Sequence, residues 1–152
     1  EDVAAGELLY GTSKSIAYGT FILLVIEAFG FAPGLRWELL WVPVVVGITG
    51  LLFGSLAMIV TALIRNIDGF NYYITLFLTP LFIFSEIFFP LERLPEIARQ
   101  IAWFTPLLHT VHLLRAVMLG GPFPWSDLLW LLAATLLLLP WPILLMKRKL
   151  IE

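Results

Sequence analysis

Apolar residues occur along this chain in long continuous runs rather than in alternation with polar residues. Four such runs, each bounded by Gly, Pro or charged residues, cover residues 16–31, 37–64, 72–90 and 128–146. A helix needs about 20 predominantly apolar residues to cross a bilayer. The pattern therefore predicts an all-α fold, a polytopic bundle of about four transmembrane helices.

The flanks of the runs indicate how the helices begin, end and lie in the membrane. Polar residues 7–15 are expected to extend the first helix, Trp37 and Trp41 stand where interfacial aromatic residues are expected, and Pro80 predicts a kink in the third helix. Basic residues favour the cytoplasmic side of a membrane, so the cluster at residues 147–149 predicts a cytoplasmic C-terminus. With four crossings the N-terminus lies on the same side, and the predicted location is the cytoplasmic (inner) membrane.

Residues 91–121 depart from this pattern, because charged residues, two histidines and two prolines interrupt the apolar ones. Residues 101–119 are nearly long enough to span, but an Arg near the centre of a span costs about 2.5–3.5 kcal/mol on insertion scales. We therefore predict a hairpin of amphipathic or re-entrant helices on the extracellular side. If residues 101–119 did cross, the chain would have five spans and its N-terminus would lie outside.

The composition supports membrane insertion and excludes several classes of function. Of the 152 residues, 61% are hydrophobic and 13% are charged, whereas soluble domains are about 45–50% apolar and about 25% charged. The net charge of −2 offers no basic surface for nucleic acid, and the absence of Cys excludes disulfides and thiol chemistry. We predict a single transmembrane domain over residues 1–152, in contact with membrane lipid.

Two stripes of small residues predict close packing between helices. Glycines and a serine recur at intervals of three or four residues in the first two runs, where they let another helix backbone approach. The predicted packing residues are Gly11, Ser15, Gly19, Gly47, Gly50 and Gly54.

The sequence contains no arrangement of residues typical of an enzyme. It has neither the GxxxxGK(S/T) phosphate-binding loop nor the HExxH zinc motif. His109 and His112 share one helical face and allow two interpretations, as metal ligands or as polar packing. Because a zinc site takes three or four protein ligands, we favour polar packing. We predict no catalytic residue, no metal and no cofactor in this chain.

Glu86 is the charged residue that we single out, because it lies in an otherwise apolar segment, residues 81–90. A carboxylate at membrane depth is rare and marks a functional site by default. The other interpretation places Glu86 at the outer interface, where it is hydrated or paired with Arg93 or Arg115, and the closeness of the interface favours it. Glu27, near the outer end of the first helix, allows the same two interpretations.

The second half of the chain carries a series of short motifs in a fixed order. They are Phe88-Phe89-Pro90, Leu94-Pro95, Thr105-Pro106-Leu107 and Leu114-Arg115. This order resembles the membrane subunit (permease) of type-2 ABC exporters. Residues 6–11, Gly-Glu-Leu-Leu-Tyr-Gly, also resemble the start of the third helix in that family.

The resemblance is strongest to the lipo-oligosaccharide (nodulation-factor) exporter permeases. Their Thr-Pro-Leu-x-His pattern is matched by residues 105–109, and their x-Leu-x-Arg-x-x-x-Leu-Gly pattern by Leu114-Arg115 through Leu119-Gly120. The match covers essentially the whole chain. The sequence departs from the family pattern at Glu86, because the family usually carries a small residue there, often Gly. The resemblance therefore does not establish how this chain packs at the gate that closes the family's exit on the outer side.

The resemblance implies an architecture and a set of partners. Family permeases have six spans, so this chain would hold the last four, and two upstream spans would be missing. Two permease copies, expected to be a homodimer, and two ABC ATPase subunits would form the transporter, with ATP bound by the ATPase. The family's coupling helix precedes its third span, so the candidates for contact with the ATPase are Glu1, Asp2 and Glu7.

The resemblance also implies that residues 91–121 form re-entrant helices lining the exit for the substrate. The candidate exit-path residues are Glu86, Phe88, Phe89, Pro90, Pro106, His109, His112 and Arg115.

The function implied is that of the permease subunit of an ATP-driven exporter. It would move an amphipathic substrate, such as a lipo-oligosaccharide, a polysaccharide precursor or a hydrophobic drug, across the cytoplasmic membrane. The alternative is an ATPase-independent channel, secondary transporter or assembly scaffold. In that case Glu86, His109 and His112 would form a path for protons or ions. An intramembrane enzyme would need a nucleophile–base pair or a metal set, which the sequence does not supply.

Overall fold

The fold is a bundle of helices in which the second long helix is central. The computed structural model describes residues 2–31, 37–64 and 66–151. The α-helices in these ranges are α1 (Asp2–Ala28), α2 (Trp41–Leu63), α3 (Ile67–Tyr72), α4 (Thr79–Ile83), α5 (Glu96–Trp103), α6 (Pro106–Leu119), α7 (Trp125–Leu138) and α8 (Pro140–Ile151). Helix α2 contacts α1, α6, α7 and α8. The described ranges contain helices and loops and no strand, so the all-α prediction is confirmed.

Three helical stretches of the described residues are long and apolar enough to cross a membrane. They are Val3–Ala28, Trp37–Leu63 and Trp125–Leu145. Helices α5 and α6 meet the same criteria together, but they are bent by 84° relative to each other. By length and composition, the described part of the chain therefore offers three spanning helices, or four if this bent pair counts as one, which fits the predicted polytopic bundle, although the third predicted run is not among them.

The third apolar run forms a shorter helix than its sequence predicts. The helix begins at Ile67, within a segment expected to be a polar loop, and ends at Ile83 instead of continuing to Pro90. At 1.5 Å per residue, residues 67–83 measure about 25 Å, which is less than the hydrocarbon core of about 30 Å. The predicted limits of this span, residues 72–90, are therefore wrong at both ends.

A widened helical turn lies directly before Pro80, where the sequence predicts a kink. Residues Tyr73–Leu78 form this π-helical turn between α3 and α4. At its end the backbone N–H of Thr79 donates to the carbonyl of Ile74, and the Thr79 hydroxyl donates to the same oxygen at 3.2 Å. Proline has no N–H, and its ring crowds the carbonyl four residues earlier. A wider turn accommodates both effects without ending the helix.

Helices α1 and α2 approach closely where small residues face each other or face a larger side chain. A Cβ added to Gly50 would lie 2.6 Å from the hydroxyl oxygen of Ser15. A Cβ added to Gly19 would lie 2.8 Å from a methyl carbon of Val46. Both distances are shorter than van der Waals contact allows, so neither position has room for a larger residue at the observed helix separation.

Two further glycines of α2 face α1, whereas Gly11 of α1 faces no described neighbour. Gly47 lies against Ile16, and Gly54 lies against Leu8. Gly11 differs from the predicted packing role, because a Cβ there would meet no described neighbour within 4 Å. The close approach thus depends on Ser15 and Gly19 from α1 and not on the whole predicted stripe.

The hydrophobic core is formed by buried residues of α2, α6 and α7. A hydrogen bond of 3.0 Å between the hydroxyls of Thr49 and Thr110 connects α2 to α6. Tight packing of these three helices fixes how α6 and α7 lie against each other. The buried residues of this cluster are Val45, Leu52, Leu113, Leu128 and Leu131.

Candidate functional site

Five ionisable side chains from three segments of the chain come into contact. Glu86 follows α4, while His109, His112 and Arg115 lie on α6 and Asp127 lies in the first turn of α7. Spacings of three residues place the three side chains of α6 on one face of the helix. We call these five residues the polar cluster.

The carboxylate and the backbone of Glu86 both accept hydrogen bonds. The Leu91 N–H donates to Oε1 at 3.1 Å, and Arg115 Nη1 donates to Oε2 at 3.1 Å. Arg115 Nη2 also donates to the backbone carbonyl of Glu86 at 3.0 Å. Of the two arginines considered as partners of Glu86, the structure therefore places Arg115 beside it.

Glu86 has an unusual backbone conformation as well as an unusual position. Its φ angle is +63°, the only positive φ of a non-glycine residue in the described ranges. The left-handed region costs an L-residue with a Cβ roughly 1–2 kcal/mol, and glycine adopts it without that cost. The glycine that the family pattern often carries at this position would therefore fit this backbone.

His109 is buried, and acceptors face both of its ring nitrogens. Nδ1 lies 2.7 Å from Asp127 Oδ1, and Nε2 lies 2.7 Å from the carbonyl oxygen of Trp103. The ring stacks on Trp130 with centroids 4.3 Å apart. His109 thereby connects the end of α5 to the start of α7.

His112 connects the two carboxylates of the cluster. Its Nδ1 lies 3.3 Å from Asp127 Oδ2, and its Nε2 lies 3.1 Å from Glu86 Oε2. Asp127 therefore uses one oxygen for each histidine. The segment after α4, the bent pair α5–α6 and α7 are joined in one continuous network.

Every ring nitrogen of the two histidines faces an oxygen atom of the protein. The partners are Oδ1 and Oδ2 of Asp127, Oε2 of Glu86 and the carbonyl oxygen of Trp103. The permanent charges of the polar cluster are thereby brought together with two imidazole rings in one network.

Each histidine is held by protein partners on both sides of its ring. Within the described residues, no group of three or more His, Asp or Glu side chains is arranged to hold a metal ion. This geometry suits polar packing between segments, the interpretation that the sequence favours.

The other predicted site residues lie outside this network. Phe88, Phe89 and Pro90 are exposed in the loop after Glu86, and Pro106 begins α6. Of the candidates for ATPase contact, Glu7 is exposed on α1. Glu1 and the side chain of Asp2 lie outside the described residues.

Glu27 is separate from the polar cluster. Its Oε1 is buried and has no hydrogen-bond partner among the described residues.

Sequence reasoning did not single out Asp127, although this residue contacts both histidines. The predicted last run begins at residue 128, but α7 begins at Trp125 and includes Asp127 in its first turn. An acidic residue directly before an apolar run is typical of a helix N-terminus, and this signal indicates an earlier helix start. The contacts of Trp103 and Trp130 with His109 had no sequence signal, because they join residues distant along the chain.

Comparison with protein families gives a match over most of the chain. The model of the ABC-2 type transporter membrane family matches residues 4–119, which include α1 to α6 apart from the first residues. The chain belongs to the ABC-2 type transporter family. This membership confirms the resemblance indicated by the motifs around Pro90, Pro106 and Arg115.

Several similar proteins carry the name Nodulation protein J. The protein from Sinorhizobium fredii is 42% identical over 122 residues, which are 80% of this chain and 45% of that protein. The protein from Rhizobium leguminosarum bv. viciae is 41% identical over 121 residues, again 80% of this chain and 46% of that protein. These relatives confirm the predicted branch of the family. The chain spans a little under half the length of the curated relatives it matches.

No solved structure matches the chain significantly. Family membership and the apolar helices together establish a multi-pass membrane protein of a transporter family.

Proposed function

We propose that this ABC-2 family chain is part of the permease subunit of an exporter driven by a separate ABC ATPase. The observation that carries the proposal is the family match over residues 4–119. ATP hydrolysis requires a phosphate-binding loop of a kind that this sequence lacks, so the energy would come from the partner. A second permease copy, bound as a homodimer, would complete the membrane part.

The proposed substrate is an amphipathic molecule. The relatives are named for nodulation, and the motifs resemble lipo-oligosaccharide exporters, so a lipo-oligosaccharide is the first candidate. A polysaccharide precursor and a hydrophobic drug are the others. The exposed aromatic residues Phe88 and Phe89 beside the polar cluster would offer such a molecule both an apolar and a polar contact.

The proposed location is the cytoplasmic membrane, with the C-terminus in the cytoplasm. The basic residues 147–149 support that side for the C-terminus. We take the helix over residues 67–83 as the fourth crossing, so that α1 starts on the same side as the C-terminus and the ATPase would meet α1 near Glu7. The polar cluster would then lie towards the outer face.

Assembly with an ATPase tests this proposal. The intact protein is co-expressed with a candidate P-loop ABC ATPase from the same genome, purified, and reconstituted in nanodiscs. We expect the two to purify as a stable complex whose ATP hydrolysis rises when a lipo-oligosaccharide is added. An ATPase variant lacking the P-loop Lys is the control. Failure to associate, together with hydrolysis that no amphipathic candidate changes, would contradict the proposal.

A secondary transporter is the second candidate, and one observation favours it. His109, Asp127, His112 and Glu86 form a continuous hydrogen-bonded series of titratable groups, an arrangement that suits proton transfer. It predicts flux driven by a pH gradient without ATP, and loss of that flux in Glu86→Gln. The exporter predicts no flux from the pH gradient alone.

A further inference from the structure

An open cavity of about 330 Å³ lies beside the polar cluster. Three members of the cluster, His112, Arg115 and Asp127, line one part of it. The remaining wall is mainly apolar and includes Leu119 and Pro122 from the end of α6 and the loop that follows. The cavity thus combines a charged region with an apolar wall.

Arg115 carries the most exposed charge at this cavity. Its side chain is 48% exposed and that of His112 is 34% exposed, whereas Glu86 and Asp127 are each 15% exposed. Both carboxylates contact His112 within the polar cluster. An incoming molecule would therefore meet the guanidinium of Arg115 before the less exposed carboxylates.

Arg115 also has donors that the cluster does not use. A guanidinium has five N–H groups, and the contacts with Glu86 take one from Nη1 and one from Nη2. Three N–H groups therefore remain for a ligand. Guanidinium donors match the geometry of phosphate, sulfate and carboxylate oxygens.

From the exposed guanidinium of Arg115, its unused donors and the apolar wall beside it, we propose that this cavity binds the anionic head of an amphiphile. The head would lie against Arg115 and His112. The apolar part would extend along the wall that contains Leu119, a residue that is 71% exposed. The inference deepens the proposed export function, on which it rests for its role, by naming the ligand class.

Binding of a simple amphiphile tests the inference without any need for ATP. Dodecyl phosphate is titrated calorimetrically into the intact protein in dodecyl maltoside micelles. We expect saturable binding, and weaker binding of inorganic phosphate, which lacks the apolar part. In Arg115→Gln we expect an affinity lower by about tenfold or more, because the site loses its exposed cation.

Leu119 offers a matched pair of variants that leaves the hydrogen bonds of the polar cluster intact. Leu119→Glu places a negative charge at the cavity wall and should weaken dodecyl phosphate binding by about tenfold or more through like-charge repulsion. Leu119→Gln has nearly the same shape as the Glu variant without its charge, so it should lose only the apolar contact and bind dodecyl phosphate about tenfold or more tightly than Leu119→Glu. This pair remains informative even if Arg115→Gln fails to fold.

Competition between phospholipids and dodecyl phosphate shows whether the bound anion can be the head of a bilayer lipid. Phosphatidylglycerol is added to the micelles, with phosphatidylcholine as the neutral control. Competition by phosphatidylglycerol alone assigns the site to an anionic lipid head, and lack of competition assigns it to an amphiphile other than a bilayer lipid. Both outcomes support the anion site.

Two results would overturn the inference. One is the absence of saturable dodecyl phosphate binding in the folded protein, and the other is equal affinity in Leu119→Glu and Leu119→Gln. Because binding is measured without the ATPase, a failure here is distinguishable from a failure of ATP-driven transport.

Discussion

At the scale of single residues, Glu86 combines a left-handed backbone with a carboxylate that holds neighbouring segments together. Its φ of +63° disfavours any residue with a Cβ. Its oxygens nevertheless accept hydrogen bonds from Leu91 and Arg115 and face His112. These contacts offset the cost of the left-handed backbone. The carboxylate therefore stabilises the fold, whereas the backbone conformation of Glu86 destabilises it.

A pair of substitutions separates the contribution of the Glu86 carboxylate from that of its backbone conformation. Glu86→Ala and Glu86→Gly both remove the carboxylate, but only glycine relieves the left-handed backbone. We expect Glu86→Gly to be more stable than Glu86→Ala by about 1 kcal/mol, as measured by thermal unfolding of the purified protein in detergent. Equal stability of the two variants would show that the backbone at Glu86 is not strained.

The residues of the polar cluster were only partly predictable from the sequence. Glu86, His109, His112 and Arg115 stood out because ionisable groups are rare among apolar residues. Which of them touch each other depends on how α4, α6 and α7 pack, and local pattern carries no information on that. Asp127 was missed for this reason, since its role arises from histidines 15 and 18 positions away.

At the scale of helices, small residues set the separation of α1 and α2. Gly50→Leu should force the helices apart, because a Cβ at this position would already collide with Ser15. Overpacking of this kind typically costs about 1–3 kcal/mol, so the midpoint of thermal unfolding in detergent should fall. Gly11→Leu is the matched control, since a side chain there meets open space. An equal loss of stability in both variants would refute a specific contact at Gly50.

The bent pair α5–α6 makes a second prediction at this scale. The two helices measure about 12 Å and about 21 Å, so neither alone crosses a core of about 30 Å. We expect the pair to enter and leave the membrane on the outer face. Because the chain has no native Cys, single cysteines at the exposed positions Ile97 and Leu119 report their side of the membrane directly.

Labelling of whole cells with a membrane-impermeant maleimide distinguishes the two arrangements. A re-entrant pair predicts that both cysteines react from outside, while a cysteine at exposed Val3, the first residue of the α1 span, reacts only after the cells are opened. If only one of the positions 97 and 119 reacted in whole cells, the pair would be a bent span.

The accuracy of helix prediction varied with the kind of apolar run. The second predicted run, residues 37–64, agrees with the observed helical stretch Trp37–Leu63. In a membrane, an uninterrupted apolar stretch of this length has few alternatives to a spanning helix. The predicted limits of the third run, residues 72–90, were wrong because a wide π-helical turn precedes Pro80 and the helix ends at Ile83. Composition alone does not distinguish apolar residues in a helix from those in the loop that carries Phe88 and Phe89.

At the scale of the whole molecule, the central claim concerns what drives transport. The family match and the nodulation relatives support an ATP-driven permease. The hydrogen-bonded series from His109 to Glu86 is the feature that a proton-driven transporter would use. The two functions differ in their energy source, which a flux measurement separates.

That measurement is uptake of a lipo-oligosaccharide into inside-out proteoliposomes that contain the intact protein and its ATPase. Our account predicts uptake that requires ATP hydrolysis, is lost when the P-loop Lys of the ATPase is replaced, and does not occur when a pH gradient is imposed without ATP. Uptake driven by the pH gradient alone, and abolished by Glu86→Gln, would contradict it.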